Sequence, residues 1–404
     1  MAYYSIFPES DTTLYSHPDR SQMNAGGDEI LEIIKERGTT NNKLYPSRIL
    51  IKFRTEDMLL AYNIATSDHT RTGAEIISDT NRPPLYTASL ELFAATSQGP
   101  TNFQGTQNIE LHALSQSFDE GTGRYDNLPT SSNGATWEFR DNSTLSTSWA
   151  TSFNDVSTGS LVSASILTAG GGAWYNSNGD LGFVDGFTGF TQQIQQGDSL
   201  DINLNIAPLV NKFINGQQIP IHPFGIINNG MVLNLPDTIE NNTTSSLGNL
   251  QYFSVDTHTI YTPKLTFKFD DSLHNSQSIA KQSGELSVSL YRNEETYNHN
   301  DEAVFRIHVR DKYPVRQFAS SSNFLTPGYF TTSSFYSIRD AYTEQEIIPF
   351  DENNTKLSAD GEGMHFKIFM KGLQPERYYR VLFKHRNNEG TKVYDNNYFF
   401  KVVR

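Results

Sequence analysis

The sequence predicts an all-β protein with two antiparallel sandwiches, a jelly-roll-like one followed by a smaller one of immunoglobulin or fibronectin type. Short runs of alternating apolar and polar residues recur along the chain and are separated by turn residues, as in Thr87–Phe93, Asn108–Leu114, Leu200–Ile206 and Lys264–Phe269. A period of two puts one face of a strand on a core and the other in water. Its repetition at short spacing favours sandwiches over βαβ units.

Composition and charge narrow the class of protein. The 404 residues include 26 Phe and 20 Tyr, too many aromatic residues for a disordered chain. The formal net charge of -14 argues against wrapping a nucleic acid. No apolar run approaches the roughly 18–20 residues of a membrane-spanning helix, so membrane insertion is not expected. The chain has no Cys, which excludes disulfides, thiolate nucleophiles and Cys-bound metals.

Two short helices are predicted to connect strands and cover a sandwich edge. The first, at residues 55–62, begins with Thr55 as a helix cap and has acidic residues in its first turn. The second spans residues 205–216 and has apolar residues on one face, an early Pro208 and a closing Gly216.

The pattern of strands divides the chain into two domains. Residues 1–271 form the first sandwich, residues 272–284 are polar and are predicted to be a linker, and residues 285–404 form the second sandwich. Within the first domain, clean periodicity is lost from about residue 115 to about residue 200. A stretch this long is expected to be a functional or subunit-contacting insertion.

Aromatic residues in this insertion are the candidate binding residues. It contains all three tryptophans, and we predict an interface or a glycan contact at Trp137, Trp149, Trp174 and Tyr175. Aromatic rings can stack on sugars or pack against a neighbouring subunit. The alternative is that the rings fill the end of the sandwich. A second candidate contact segment is 318–336, which is also rich in aromatic residues.

The second domain carries a further signature of the immunoglobulin-like sandwich. The spacing from Leu373 through Pro375 to Tyr378 is similar to a tyrosine corner, in which the hydroxyl bonds to the backbone upstream. It predicts that Tyr378 starts a strand and that a final hairpin turns at residues 387–390. A chance motif in a tyrosine-rich chain is the alternative.

No catalytic, cofactor-binding or metal-binding residues are predicted. The ten histidines lack the spacing of metal or zinc-protease motifs, and no nucleophile elbow or phosphate loop is present in the sequence. Acidic residues of the insertion could form a glycosidase pair, but a solvated loop is the better interpretation: Asp119, Glu120, Asp126, Asp180 and Asp185. Residues 176–180 offer oxygen ligands for calcium, yet lack the terminal glutamate of an EF-hand loop.

The ordered strands of the first 271 residues resemble the DNRLRE family of β-sandwich domains. The matching segments are Asp11–Tyr15, Asn24–Ile33, Ser47–Phe53, Ala88–Phe93 and Ile109–Leu114, followed by a Trp-rich loop and a short helix. The start of the chain, Val309–Pro314 and Gly372–Tyr379 look like structural proteins of marine contractile-tailed phages of the T4-like cyanophage type.

This resemblance implies a non-enzymatic structural component of a phage virion, in the tail, baseplate or neck. Such a protein is expected to be made in the host cytoplasm, where the missing secretory signal also places it, and to assemble in several copies with other virion proteins. The alternative is a carbohydrate-binding adhesin that recognises a host surface polysaccharide. The sequence predicts no nucleic acid partner and does not fix the position in the particle.

Overall fold

The structure is a computed structural model. It describes residues 2–38, 42–66, 86–95, 106–125, 133–143, 146–149, 152–154, 161–163, 170–175, 190–195, 198–216, 225–240, 242, 249–275, 280–281, 284–291, 293–314 and 328–404. The chain divides into two compact units. The smaller comprises Met1–Ser5, Ile64–Ser67 and Phe267–Arg404, and the larger comprises Ile6–Asn63 and Asp68–Thr266.

Among the described residues, β-strands are by far the most frequent regular structure, as the sequence predicts. From the start of the chain to residue 269 the elements are β1 (Ala2–Ile6), β2 (Ser10–Tyr15), β3 (Ile30–Ile33), β4 (Lys35–Arg37), β5 (Leu44–Lys52), α1 (Thr55–Thr66), β6 (Tyr86–Leu92), β7 (Thr106–Ala113), β8 (Phe139–Asp141), β9 (Thr147–Ser148), β10 (Ser152–Asn154), β11 (Leu161–Ser163), β12 (Phe190–Gln195), β13 (Ile202–Asn205), α2 (Ala207–Gly216), β14 (Met231–Asn234), α3 (Asp237–Glu240), β15 (Leu250–Phe253) and β16 (Lys264–Phe269).

The remaining elements belong to the smaller unit. They are β17 (Ala280–Lys281), β18 (Leu286–Tyr291), β19 (Thr296–Asn298), β20 (Glu302–Asp311), β21 (Tyr329–Phe330), β22 (Ser334–Asp340), β23 (Glu346–Ile348), β24 (Ser358–Asp360), β25 (Gly363–Phe369), a 3-10 turn at Met370–Gly372, β26 (Arg377–Asn387) and β27 (Gly390–Val403). The all-β class is therefore confirmed, and both predicted helices are present as α1 and α2.

Antiparallel sheets build the larger unit. One sheet has the order β12-β7-β14-β5-β2, with β4 paired to the end of β5, and another contains β16-β6-β13. Strand β5 lies inside its sheet, and Ile49, Leu50 and Ile51 are completely buried. Burial on both faces agrees with the continuous apolar run of these three residues, whereas β7 and β13 alternate.

The smaller unit has the strand order of an immunoglobulin sandwich. One sheet runs β18-β20-β25-β24 and the other runs β19-β27-β26-β22-β23. These orders match the A-B-E-D sheet and the sheet with neighbouring C, F and G strands of that fold. Strand β19 pairs in parallel with β27, and the core between the sheets is rich in aromatic rings, including Phe305 and Phe366 with centroids 5.1 Å apart.

The tyrosine corner is present, but one residue later than predicted. Tyr379, which is buried, donates from its hydroxyl to the carbonyl of Gln374 at 2.8 Å, whereas Tyr378 is 42% exposed. The prediction for Tyr378 is therefore wrong. Strand β26 begins at Arg377 and alternates, so its second tyrosine faces the core, and Glu376 just before it has a φ of 62°.

Two further predictions fall in the smaller unit. The final hairpin joins β26 to β27 with Asn387 opposite Gly390, as expected from the sequence. The described residues of the segment predicted as a linker carry backbone pairing of their own: His274 bridges to Ala359, and Asn275 donates to the same residue's carbonyl at 2.7 Å. The aromatic residues of the 318–336 segment that the structure describes are all buried, and three of them, Tyr329, Phe330 and Tyr336, belong to this core; the fourth is Phe335.

Candidate functional site

The four aromatic residues predicted to make contacts are buried in the larger unit. Trp137 and Trp149 are each 4% exposed, and Trp174 and Tyr175 are each 7% exposed. The three tryptophans share one apolar cluster with Leu14, Leu50 and other core residues. The indole nitrogen of Trp149 donates to the carbonyl of Thr136 at 3.0 Å. The rings thus fill the interior here, which is the alternative that the sequence left open, and contact with a partner or a glycan stays a prediction.

The tryptophans surround a buried arginine that sequence reasoning missed. The guanidinium carbon of Arg48 lies 4.5 Å from the ring centroid of Trp137 and 4.9 Å from that of Trp174. Its nitrogens donate to both carboxylate oxygens of Glu240, at 3.2 and 2.5 Å, and to the carbonyl of Gly171 at 2.7 Å. A buried charge needs such a partner and such donors and acceptors. Arg48 therefore joins β5 to α3 and to the backbone at Gly171, and this arrangement exposes no reactive group.

A glycine makes this packing possible. Gly171 has a φ of 74°, and a Cβ atom built on it would lie 2.4 Å from Nη1 of Arg48 and 2.7 Å from a ring carbon of Trp137. Residues with a Cβ rarely adopt this backbone conformation and would also collide here. The glycine-rich stretch at 170–172, which the sequence marks only as a turn, is therefore required by the arginine.

Of the acidic residues considered for catalysis, Asp119 and Glu120 lie in the described part of the chain. Asp126, Asp180, Asp185 and the possible calcium segment 176–180 lie outside it. Oε1 of Glu120 accepts from the backbone nitrogen of Asp11 at 2.8 Å, and Oδ2 of Asp11 accepts from that of Val255 at 2.7 Å. Burial, with smaller contributions from neighbouring acids, raises the pKa of Glu120 to about 7. Burial also raises the pKa of Asp11 well above its ordinary value.

Backbone hydrogen bonds therefore position both carboxyl groups: Asp11 belongs to β2, and Glu120 is bonded to the backbone of that strand. Among the described residues, no group of three or more His, Asp or Glu side chains is arranged to hold a metal ion. The described residues also contain no helix long and apolar enough to cross a membrane.

The strongest candidate site is an open cleft of about 950 Å³ in the larger unit. Its wall is formed by β3, β4 and the turn before them, by β15 and by the loop at 124–125. The lining residues are Tyr15, Gly27, Asp28, Glu29, Ile30, Glu32, Ile34, Lys35, Glu36, Arg124, Tyr125, Asn249 and Gln251. Below it, Tyr15 and Ile34 belong to a small apolar cluster with Met23 and Ala25. We call the open cleft formed by the lining residues given above the acidic cleft.

Glu32, one of the residues that line the acidic cleft, is held in a fixed position. Its Oε2 accepts from the hydroxyl of Tyr15 at 2.8 Å, and its Oε1 accepts from the amide nitrogen of Gln251 at 2.7 Å. Gln251 is the direct partner of Glu32 in the pairing of β15 with β3. Burial, followed by the neighbouring charge of Glu32, raises the pKa of Tyr15, so this hydroxyl remains a donor.

An arginine from the same chain already packs at the wall of the acidic cleft. The guanidinium carbon of Arg20 lies 4.1 Å from the ring centroid of Tyr125, and Nη1 of Arg20 lies 2.5 Å from Oε1 of Glu36. Tyr125 also contacts Tyr15, with ring centroids 5.4 Å apart. The ammonium of Lys35 donates to the carbonyls of Ile239 and Asn242 at the end of α3.

Sequence reasoning missed the acidic cleft because its residues come from four separate segments. The contributing stretches are Tyr15, residues 27–36, residues 124–125 and residues 249–251. The alternation in β3, with Leu31 and Ile33 buried, shows that Glu32 faces away from the core. No pattern within one segment shows that the other three would meet it.

Comparison with known proteins adds little to this geometry. No protein family and no curated protein matches the chain significantly. Among solved structures, the adhesin domain of Epf from Streptococcus pyogenes aligns with 98% of this chain and 98% of its own length, at 7% sequence identity and a TM-score of 0.14. A likeness this weak carries no argument about function.

Proposed function

We propose that the protein is a non-enzymatic structural component of a phage virion that acts through protein–protein contacts. The tail, baseplate or neck is the expected place, in agreement with the resemblance of its sequence to phage structural proteins. Two compact units built from antiparallel sheets suit this role because sandwiches are stiff and present variable surfaces to neighbours.

One observation carries the proposal: aromatic side chains are exposed on the outer face of the five-stranded sheet of the smaller unit and in the turn that follows β22. Tyr342 is 79% exposed, Tyr378 is 42% exposed and Phe399 is 43% exposed. The ring of Tyr378 contacts that of Tyr342, and Arg380 lies over Phe399, its pairing partner on β27. Aromatic residues and arginine are enriched at protein interfaces. We call these four residues the aromatic face.

The proposal is tested by particle assembly. Mass spectrometry of purified virions should detect this polypeptide, and crosslinks from Lys401, which lies 5.8 Å from the ring centroid of Tyr378, should reach another virion protein. The double variant Tyr342→Ser with Phe399→Ser should reduce incorporation at least tenfold. Tyr313→Ser is the matched control, because Tyr313 is 75% exposed in the same unit but lies outside the aromatic face. Virions that lack the polypeptide would overturn the proposal.

The alternative of a carbohydrate-binding adhesin receives less support from the structure. It assigns sugar stacking to tryptophans whose rings are buried, and two of these rings pack on Arg48. Host polysaccharide retained by the folded protein, and no longer retained by the Trp137→Phe variant, would favour the adhesin over the structural role.

A further inference from the structure

We propose that two copies of the chain associate by pairing the strand β27 of one copy with β27 of the other, antiparallel and centred on Val393. The inference goes beyond the proposed function and does not depend on it, because it rests on the edge of one sheet in the smaller unit. The contact joins the two five-stranded sheets across a twofold axis, so both copies contribute the same residues.

The first argument is that β27 has an open edge along its first half. In its sheet β27 lies between β26 and β19, but β19 pairs only with its far end, at Lys401–Val403. Among the described residues, none pairs through its backbone with the other side of residues 390–396. All residues of this stretch are exposed except the half-buried Tyr394. A long, exposed strand edge is a template for pairing with another strand.

The second argument is the direction of the backbone groups at this edge. Arg386 pairs with Thr391 across the hairpin, yet its N–H donates to the opposite side, to the carbonyl of Ser333 at 2.9 Å. In a non-hydrogen-bonded pair of antiparallel strands, both residues turn their N–H and C=O groups away from each other. Thr391 therefore directs its backbone groups outward, and so does Val393, two residues later. Val393 thus offers a donor and an acceptor at the middle of the open edge.

The charged side chains beside this edge are already engaged within the chain. Charged side chains, lysine above all, commonly protect an edge from pairing. Here the ammonium of Lys392 donates to the carbonyl of Gly284 at 3.3 Å, and the carboxylate of Asp395 forms an ion pair with Arg380 in β26. Neither charge therefore has to be stripped of water without a partner when a second strand arrives.

The other sheet edges in the described part of the smaller unit are shorter or occupied. Strands β19 and β23 have three residues each. His274 bridges to Ala359 and so covers the edge strand β24. The carbonyl of Val288 in the edge strand β18 accepts from the side chain of Asn396 at 2.6 Å. The first half of β27 is therefore the edge best suited to pairing.

The third argument is that this edge is complementary to itself. Val393, which is 53% exposed, lies opposite its own copy in a pair that exchanges two hydrogen bonds, and paired β-branched residues stabilise a sheet. Thr391 lies opposite Asp395 of the other copy, so a hydroxyl meets a carboxylate. Lys392 lies opposite Tyr394 of the other copy, so an ammonium meets an aromatic ring. Like charges are not placed opposite each other, and a second copy is therefore the partner that fits.

The first test is a disulfide crosslink in the full chain, which has no cysteine of its own. Oxidation of Val393→Cys with copper phenanthroline should give a covalent dimer, since directly opposed residues of a hydrogen-bonded pair have Cα atoms about 5.5 Å apart, within reach of a disulfide. Val304→Cys is the matched control, because Val304 is 40% exposed on β20, in the other sheet of the same unit. Equal crosslinking of the two variants would overturn the inference.

The second test is an exchange of charge at the centre of the contact, followed by sedimentation velocity. Val393→Lys and Val393→Glu each place like charges opposite each other, so each should weaken self-association about tenfold. An equal mixture of the two variants should recover the dimer, because opposite charges then meet. Val304→Lys is the control and should associate as the wild type does. A wild-type chain that stays monomeric at its highest soluble concentration, or a mixture that associates no better than either variant alone, would contradict the pairing.

These results are separable from the proposed function. A chain that stays monomeric and still enters virions through the aromatic face loses the β27 contact and retains its structural role. A chain that dimerises through β27 but is absent from virions retains the contact and loses that role.

Discussion

Arg48 and Glu240 form an ion pair in which both side chains are 1% exposed, and the guanidinium donates to both carboxylate oxygens. The pair joins β5, an interior strand of its sheet in the larger unit, to the short helix α3, where Glu240 follows Arg48 by 192 residues. Trp137 and Trp174 pack on the same guanidinium. The strand β5, the helix α3 and the tryptophan-containing insertion, which are distant in the sequence, thus meet at one buried charge.

Removal of this arginine should destabilise the larger unit strongly. Because Arg48→Gln leaves Glu240 buried without its counter-charge, we expect a loss of about 3–5 kcal/mol in the free energy of unfolding. Urea titration followed by tryptophan fluorescence measures it, since all three tryptophans lie in this unit. Arg54→Gln is the control, because Arg54 is 62% exposed and its ion pair with Glu9 is near the surface. Equal effects of the two variants would contradict the interpretation.

The tyrosine corner gives a paired prediction in the smaller unit. Tyr379→Phe removes the hydrogen bond to the Gln374 carbonyl and should cost about 1 kcal/mol of local stability. Tyr378→Phe, one residue earlier and partly exposed, should cost nothing measurable. Hydrogen exchange of the amides in β26 and β27, followed by mass spectrometry in increasing urea, distinguishes them. The reverse order of effects would restore the assignment to Tyr378.

The larger unit should be more stable in mild acid than at neutral pH. The pKa of Glu120 is raised to about 7 in the folded chain, so between about pH 4.5 and 7 the folded state binds more protons than the unfolded state. Stability from this group is therefore present in acid and is lost as the pH rises through 7. Asp11, whose pKa is also raised, acts in the same direction.

The measurement is the urea midpoint of tryptophan fluorescence at pH 5 and pH 8. We expect the free energy of unfolding to be about 1–2 kcal/mol higher at pH 5, after allowing for the partial exposure of Glu120. Glu120→Gln mimics the protonated acid and should reduce this difference. A midpoint that rises from pH 5 to pH 8 in the wild type, with Glu120→Gln unchanged, would show that this carboxyl does not control the response.

The smaller unit should respond to pH in the opposite direction. His385 is 1% exposed, stacks on Phe330 at 4.6 Å and lies 3.1 Å from the hydroxyl of Thr331. Burial lowers its pKa, so the unfolded state takes up a proton first as the pH falls below about 6.5. Stability is full above that pH and declines below it.

Hydrogen exchange of the β22 and β26 amides at pH 7.5 and pH 5.5, corrected for intrinsic rates, follows this decline. His385→Gln should lower stability at pH 7.5 but flatten the pH dependence. His258→Gln is a control, because the side chain of His258 is 92% exposed. If exchange protection in the wild type increased towards pH 5.5, the burial of a neutral His385 would not be the dominant effect.

The sequence predicts elements well where one segment carries the whole signal. The alternation in β7 and β13 and the apolar face of α2 indicate their structures directly. The tyrosine corner was one residue off because two adjacent tyrosines satisfy nearly the same spacing, and only the direction of alternation from Arg377 decides between them. A local motif therefore predicts where a feature lies more reliably than it predicts which residue forms that feature.

The candidate site was harder to predict than the fold because it depends on pairing between distant strands. Tryptophans in a turn-rich region suggest exposed contact residues, yet two of them pack in the interior on Arg48, which lies in the strand β5. Glu32 and Gln251 become neighbours only through the pairing of β3 with β15. Such cross-strand partners are specified by the whole packed structure, and one sequence alone does not display them.

The turn between β26 and β27 also offers a place to modify the protein. Asn388 and Glu389 are exposed there, and space around Gly390 is open, with nothing within 4 Å of a Cβ atom placed on it. Exposed tips of this kind tolerate inserted sequence. An epitope tag inserted between Asn388 and Glu389 would let antibodies label the protein in electron micrographs.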